Sequence, residues 1–368
     1  MSDRAGRLTL TVGALIVLLG ALAALLLGPR LGGALRGPDQ HSASGLDVAG
    51  DWQPVAWSPD GQRLLVGGSE GLALVGRGTA PPSLAGVTAA AWRPGAGHEL
   101  GVIRPASPSA ARASLEVIDD AGDTPAIPLS GDGQIGLAWS SDGDSWLTWG
   151  PNGPLIGRLG AGRSVALPGL GEPLAVSPDG RLVAGRDRVS GAVVLASANG
   201  LSRRILPGAT VTADGALGFS PDGIWLAVGD AEHGLRIAPV DGQAPPTLVA
   251  VAADPASVAW APAGERLVAL RTGQPASGAI LVSVRSDGIA VQPLGPAAAV
   301  AWAVDGGTIV VLTPDGQVRA VAALAGGPSA SPGISVLATD AVPGCTPRRS
   351  ASGVLAYCAA GRLRVVGP

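Results

Sequence analysis

Of the 368 residues, 57 are Gly and 32 are Pro, about a quarter of the chain and close to the level that signals disorder. The same chain is 46% hydrophobic and only 14% charged, with a net charge of -3, which is the reverse of a disordered composition, so it is expected to fold. The near-neutral, slightly acidic balance lacks the basic face that nucleic-acid binding needs, and that class is set aside. Gly and Pro at this density, beside many Val, Leu and Ile, predict numerous short strands and tight turns rather than long helices. All 25 basic residues are Arg, which fits a GC-rich genome and carries no functional message.

Residues 8–28, LTLTVGALIVLLGALAALLLG, carry no charge and are long enough to cross about 30 Å of hydrocarbon as a helix. A cleaved signal peptide has a shorter apolar core and an A-x-A-like site, neither of which is evident, and no Cys follows for lipoprotein processing. The expectation is an uncleaved signal anchor over 8–28 behind a short cytoplasmic tail at 1–7. Arg4 and Arg7 on one side are balanced by Arg30 and Arg36 on the other, so charge alone favours a cytoplasmic N-terminus only weakly. Residues 29–45, Gly-rich and ending in GPDQHSASG, read as a flexible linker, which leaves 46–368 as the folded domain.

That domain is a repeat. An aromatic or Val followed by a Ser-Pro-Asp-Gly-like corner recurs at Trp57, Trp92, Trp139, Val176, Phe219, Trp260 and Trp302. A degraded eighth copy is read at Cys345-Thr-Pro-Arg, and the mean spacing is near 41 residues. Each copy parses as four strands; in the fifth these are ALGF, then IWLAV after the corner SPDG, then GLRIAPV and PPTLVAV. Ser first, Pro second, Asp third and Gly fourth is the order a type I turn favours, so Asp60, Asp142, Asp179, Asp222 and Asp305 are read as turn residues rather than catalysts. The recurring Trp residues are read as plates buried between adjacent sheets.

An aromatic, Ser-Pro-Asp-Gly and a Val/Leu-rich strand in this order resemble the repeats of the β-propeller superfamily, in its TolB-like or WD-repeat-like forms. The resemblance covers about residues 46–368 and implies an all-β fold of four-stranded blades arranged around a channel, with no particular activity. Eight blades are expected, seven being the alternative. The eighth copy ends at its third strand, and Gly45 to Ala49 has nothing of its own to pair with, so this segment is expected to supply the outermost strand of the last blade. Closure of this kind removes two open sheet edges.

Chemistry-bearing residues are sparse. His41, His98 and His233 form no metal motif; only His233 lies beside carboxylates, in Asp230-Ala-Glu232-His233. Cys345 and Cys358 either form a disulfide or stay as two buried thiols, and an oxidising compartment favours the bridge. Four to seven residues before the repeat anchors lie Asp51, Asp132, Glu172, Asp214, Asp254 and Asp340, in six of the eight copies. In a propeller these positions fall on the face opposite the Ser-Pro-Asp-Gly corners, where they can line an acidic funnel that attracts a cation or an Arg. Asp is enriched in loops anyway, so ordinary turn residues remain the competing reading. Calcium is the alternative ligand for such a funnel, and no other cofactor is expected. The loop from Arg104 to Arg112 is a candidate lid or partner contact.

The expected function is a membrane-tethered, extracytoplasmic binding module, sensor or scaffold with a protein partner, non-catalytic and monomeric in its propeller. A propeller enzyme with its site in the funnel and a cytoplasm-facing regulatory propeller are the alternatives.

Overall fold

The structure is a computed structural model that describes residues 46–76, 84–95, 97–107, 112–119, 122–123, 125–130, 133–262, 264–272, 278–285, 288–323 and 333–367. The tail, anchor and linker expected over 1–45 lie outside them. Among the described residues no helix is long and apolar enough to cross a membrane.

The chain forms an eight-bladed β-propeller in which each blade is an antiparallel sheet, of consecutive strands in all blades but the last. The innermost strands are Gln53–Trp57, Ala89–Trp92, Gly136–Trp139, Leu170–Val176, Ala216–Phe219, Ala253–Trp260, Ala299–Trp302 and Arg348–Arg349. Blade five shows the plan: Ala216–Phe219 pairs with Trp225–Asp230, which pairs with Gly234–Pro239, which pairs with Thr247–Ala250. Among the described residues blade one has three strands, and the outer position of blade two is split between Gly122–Asp123 and Ile127–Pro128.

The ring closes as the sequence suggests. Leu46–Ala49 lies antiparallel to Arg362–Val366 and becomes the outer strand of blade eight, with Leu46 opposite Val365 and Ala49 opposite Arg362.

The corners hold by the chemistry of their residues. In Ser58-Pro-Asp60-Gly61 the Gly61 N–H donates to the Ser58 carbonyl at 2.8 Å, and the Ser58 hydroxyl donates to Asp60 Oδ1 at 2.6 Å. The same oxygen of Asp60 accepts from the Gln62 N–H at 3.0 Å. The pattern returns at Ser140–Asp142, Ser177–Asp179 and Ser220–Asp222. Partial burial alone would raise the pKa of Asp60, Asp142 and Asp179; the Ser hydroxyl and the backbone N–H outweigh it and hold each carboxyl below its usual range. Gly at the fourth position is obligatory at Gly180, whose φ is +67° and where a Cβ would lie 2.1 Å from Ser145 Oγ.

The core sits between blades, because each sheet is too thin to bury its own side chains. Val193 and Leu195 of blade four pack on Leu226 and Val228 of blade five, and every seam repeats this pattern. The anchor Trp residues are struts across the seams. Trp92 donates its indole N–H to the Ala56 carbonyl of the preceding blade at 2.9 Å, Trp139 to Ala91 at 3.1 Å, Trp260 to Gly218 at 2.8 Å and Trp302 to Ala259 at 3.0 Å.

The struts correct the reading of the eighth copy. Trp57 donates to the carbonyl of Arg348 at 3.2 Å, which makes Arg349 the anchor of blade eight and Ser350-Ala-Ser-Gly353 its corner. Gly353 N–H closes that corner on the Ser350 carbonyl at 3.1 Å. Cys345 instead lies in the loop ahead of the innermost strand, where it is bonded to Cys358 of the second strand with their Cα atoms 5.9 Å apart. The loop folds back along that strand, with the Val342 N–H donating to the Cys358 carbonyl at 2.9 Å. Strand register therefore places no limit on the bridge. It closes a loop of sequence separation 13, so reduction, or Cys345→Ser with Cys358→Ser, is expected to lower stability by about 3 kcal/mol. Thermal melts with and without dithiothreitol check this, and the double variant should show no effect of the reductant.

Candidate functional site

Each innermost strand runs from the face carrying the blade-to-blade loops to the face carrying the Ser-Pro-Asp-Gly corners. The first is called the loop face, the second the turn face. The loops between second and third strands join the loop face, and the candidate acids lie there.

They do different things. Asp51 accepts the Ser69 N–H at 3.0 Å, a bond that ties two loops of blade one together, and the Ser69 hydroxyl, with this N–H, holds its carboxyl below the usual range. Asp254 accepts the Ala256 N–H at 3.1 Å beside a register shift in the innermost strand of blade six. There Ser257 Oγ donates to the Asp254 carbonyl at 2.6 Å and accepts the Leu270 N–H at 2.7 Å. Asp340 accepts the Tyr357 hydroxyl at 3.0 Å and pairs with Arg364. Asp132 lies outside the described residues.

Glu172 and Asp214 differ from these. Both are exposed, and among the described residues neither makes a hydrogen bond or ion pair. The structure brings them together in the lining of one open groove of about 380 Å³, at the junction of blades three, four and five. Its walls are Pro173 and Leu174 of the innermost strand of blade four, Ala213 to Leu217 leading into blade five, and Trp149 at the loop-face end of blade three.

Trp149 is a residue that the repeat pattern does not single out. Its signal is a cross-strand pair: Trp149 lies opposite Gly136, and its ring occupies the space where a Gly136 Cβ would fall, 2.1 Å from Cε2.

Beside the groove stands the hydrogen-bonded loop Arg186 to Gly191. Asp187 Oδ1 accepts the N–H groups of Val189 and Ser190 at 3.1 and 2.8 Å and the Ser190 hydroxyl at 2.9 Å, and these bonds hold the carboxyl below its usual range. Arg203 pairs with the same carboxylate, and Arg186 Nε donates to the Val211 carbonyl at 3.1 Å. The loop holds Val189 out in water at 96% exposure. An apolar side chain presented on an internally bonded loop is preorganised for contact, since little conformational freedom remains to be lost on binding.

Other candidates are committed internally. The Asp230 side chain is buried and accepts the N–H of Thr212 at 3.2 Å, the N–H of His233, and a contact from His233 Nδ1 at 3.0 Å. His233 thus clips its own loop. Arg104 pairs with Glu116 at 2.7 Å and donates to the Ala85 carbonyl at 3.3 Å, which ties it to blade two and its approach loop. Arg112 is exposed, and residues 108–111 of that candidate loop lie outside the described residues. Among the described residues no three His, Cys, Asp or Glu side chains gather to hold a metal ion.

The fold is that of a β-propeller with WD40-type structural neighbours. The C-terminal WD40 domain of Sif2 superposes with a TM-score of 0.58 at 14% identity, covering 89% of this chain and all of that domain. The β-propeller domain of Cps50 (Swd1) from Myceliophteria thermophila gives 0.51 at 14% identity, covering 79% of this chain and 98% of that one. At that identity the likeness is one of fold. No family model and no curated protein matches the sequence.

Proposed function

We propose that the protein is a membrane-tethered, extracytoplasmic, non-catalytic binding module whose loop face takes a protein or peptide ligand. The observation that carries this is the groove, in which two carboxylates without partners stand beside Trp149, Pro173 and Leu174 on a closed ring. Acid beside an aromatic and an apolar floor suits an Arg or Lys side chain whose aliphatic stem packs while its head pairs.

The placement has two supports. A Cys345–Cys358 bridge belongs to an oxidising compartment. The closing strand enters at the turn face, where Leu46 meets Val365, and leaves at the loop face, where Ala49 meets Arg362. A tether ahead of it would leave the ring at the turn face, so the loop face at the opposite end stays open to the medium.

The test titrates a short peptide with a central Arg between apolar residues and follows Trp fluorescence. Glu172→Gln with Asp214→Asn is expected to weaken binding about tenfold and to flatten its salt dependence. Equal affinity in the wild type and this variant refutes the groove. A phosphatase fused after residue 368 and active only outside the cytoplasm checks the placement.

A further inference from the structure

The residue immediately before the repeat anchor is small in seven blades: Ala56, Ala91, Ala138, Ala175, Gly218, Ala259 and Ala301. Crowding explains it. In five seams the carbonyl at this position receives the Trp indole of the next blade, and side chains such as Ala91 and Ala259 pack in the same seam beside that Trp. In blade eight the position holds Arg348, facing the seam where the ring closes on blade one.

This guanidinium is out of character with its surroundings. Arg348 is half-buried, and its Nε is buried with no hydrogen-bond partner. Burial pushes its pKa below the ordinary guanidinium value. Among the described residues no carboxylate pairs with it. Arg349, next to it on the strand, lies on the opposite face of the sheet, its Nε donating to the Gly353 carbonyl at 3.4 Å, so it offers Arg348 no partner. The seam around Trp57, Leu64, Val66, Ala356 and Leu363 is apolar, and the buried Nε finds no acceptor beside it. An Arg retained at a position that otherwise takes Ala or Gly, on a strand lining the central channel, marks a place where local packing has been given up for another purpose.

We propose that Arg348 is the core of an oxyanion site at the turn-face end of the channel, taking the carboxylate or phosphate group of a ligand. The planar fork of the guanidinium matches the two oxygens of such a group, and the ligand supplies the negative charge that the protein leaves out. Because the site lies in the closing seam, occupancy ties blade eight to blade one and raises the stability of the ring.

The experiment is thermal unfolding of the full chain at constant ionic strength with increasing sodium acetate in one arm and inorganic phosphate in the other. The wild-type midpoint is expected to rise saturably in at least one arm, and the arm that responds identifies carboxylate or phosphate as the ligand group. Arg348→Ala restores the residue found in six other blades, and Arg348→Met fills the volume without charge; both are expected to fold and to lose the saturable rise. General salt effects on burial move all three proteins alike. A flat wild-type response in both arms, or parallel curves in wild type and variants, overturns the proposal. Neither result bears on the loop-face groove, which these substitutions leave intact.

Discussion

Deleting residues 46–49 from the full chain is expected to lower the melting midpoint by about 10 °C, the largest single effect on this ring. The strand pairs over its whole length, Leu46 with Val365 to Ala49 with Arg362, and Val48 packs half-buried against the Trp57, Leu64 and Leu363 cluster. At about 1 kcal/mol for each of about four ladder hydrogen bonds, and about 1–2 kcal/mol for the apolar contact, the strand contributes about 5 kcal/mol. Asp47 and Arg362, 3.4 Å apart and solvent-exposed, add little. In a chain of this size 1 kcal/mol moves the midpoint by about 2 °C. Removal also bares the edge of Arg362–Val366, so the variant should aggregate on heating. Differential scanning calorimetry and light scattering read both; an unchanged midpoint would show that the ring closes by other means.

Replacing Trp146 by Ala is expected to lower stability by about 3–5 kcal/mol, whereas Phe at the same position should lower it by less than half as much. Trp146 is fully buried in the seam between blades two and three, among Ile103, Leu115, Leu137 and Leu155. Its ring lies over Gly157, where a Cβ would stand 2.2 Å from Cζ2, so the neighbours cannot close over the vacancy. The Phe variant is milder for a second reason: the Trp146 indole N–H is buried without an acceptor, and Phe removes that orphaned donor while keeping most of the ring. Urea unfolding of the three proteins, compared by midpoint and slope, checks the order. A Phe variant as damaged as the Ala variant would mean that the N–H has a partner after all.

What could be read from residues alone follows a physical rule. Ser-Pro-Asp-Gly is read locally because the turn, its Ser-to-Asp bond and its Gly conformation all form within six residues. The eighth corner escapes a reading by motif because Ser350-Ala-Ser-Gly353 lacks Pro and Asp and follows Arg349 instead of an aromatic. Only the Trp57 strut, reaching 291 positions along the chain, identifies it. The cysteines show the same limit: the sequence leaves a Cys345–Cys358 bridge and two buried thiols both open, with the bridge favoured in an oxidising compartment, and only the loop ahead of blade eight, which carries Cys345 back to the second strand, forms the bridge.

The loop-face acids mark the boundary most sharply. Asp51, Glu172, Asp214 and Asp254 are equivalent in sequence, each four to six residues ahead of a repeat anchor, and Asp340 joins them only if the eighth anchor is read at Cys345, since it lies nine residues ahead of Arg349. Ser69, Ala256, Tyr357 and Arg364 engage three of them, while Glu172 and Asp214 are left facing one groove with Trp149 of a third blade. Turn chemistry and repeat spacing are properties of neighbours in the chain, so the sequence by itself determined the class of fold and the strand expected to close the ring, while the choice of eight blades over seven rests on the structure. Which carboxylates stay free, which Trp joins them and where Arg348 meets no counter-charge depend on groups brought together across seams from distant blades. The tertiary structure alone decided those, because pairing of charges is set by distance in space.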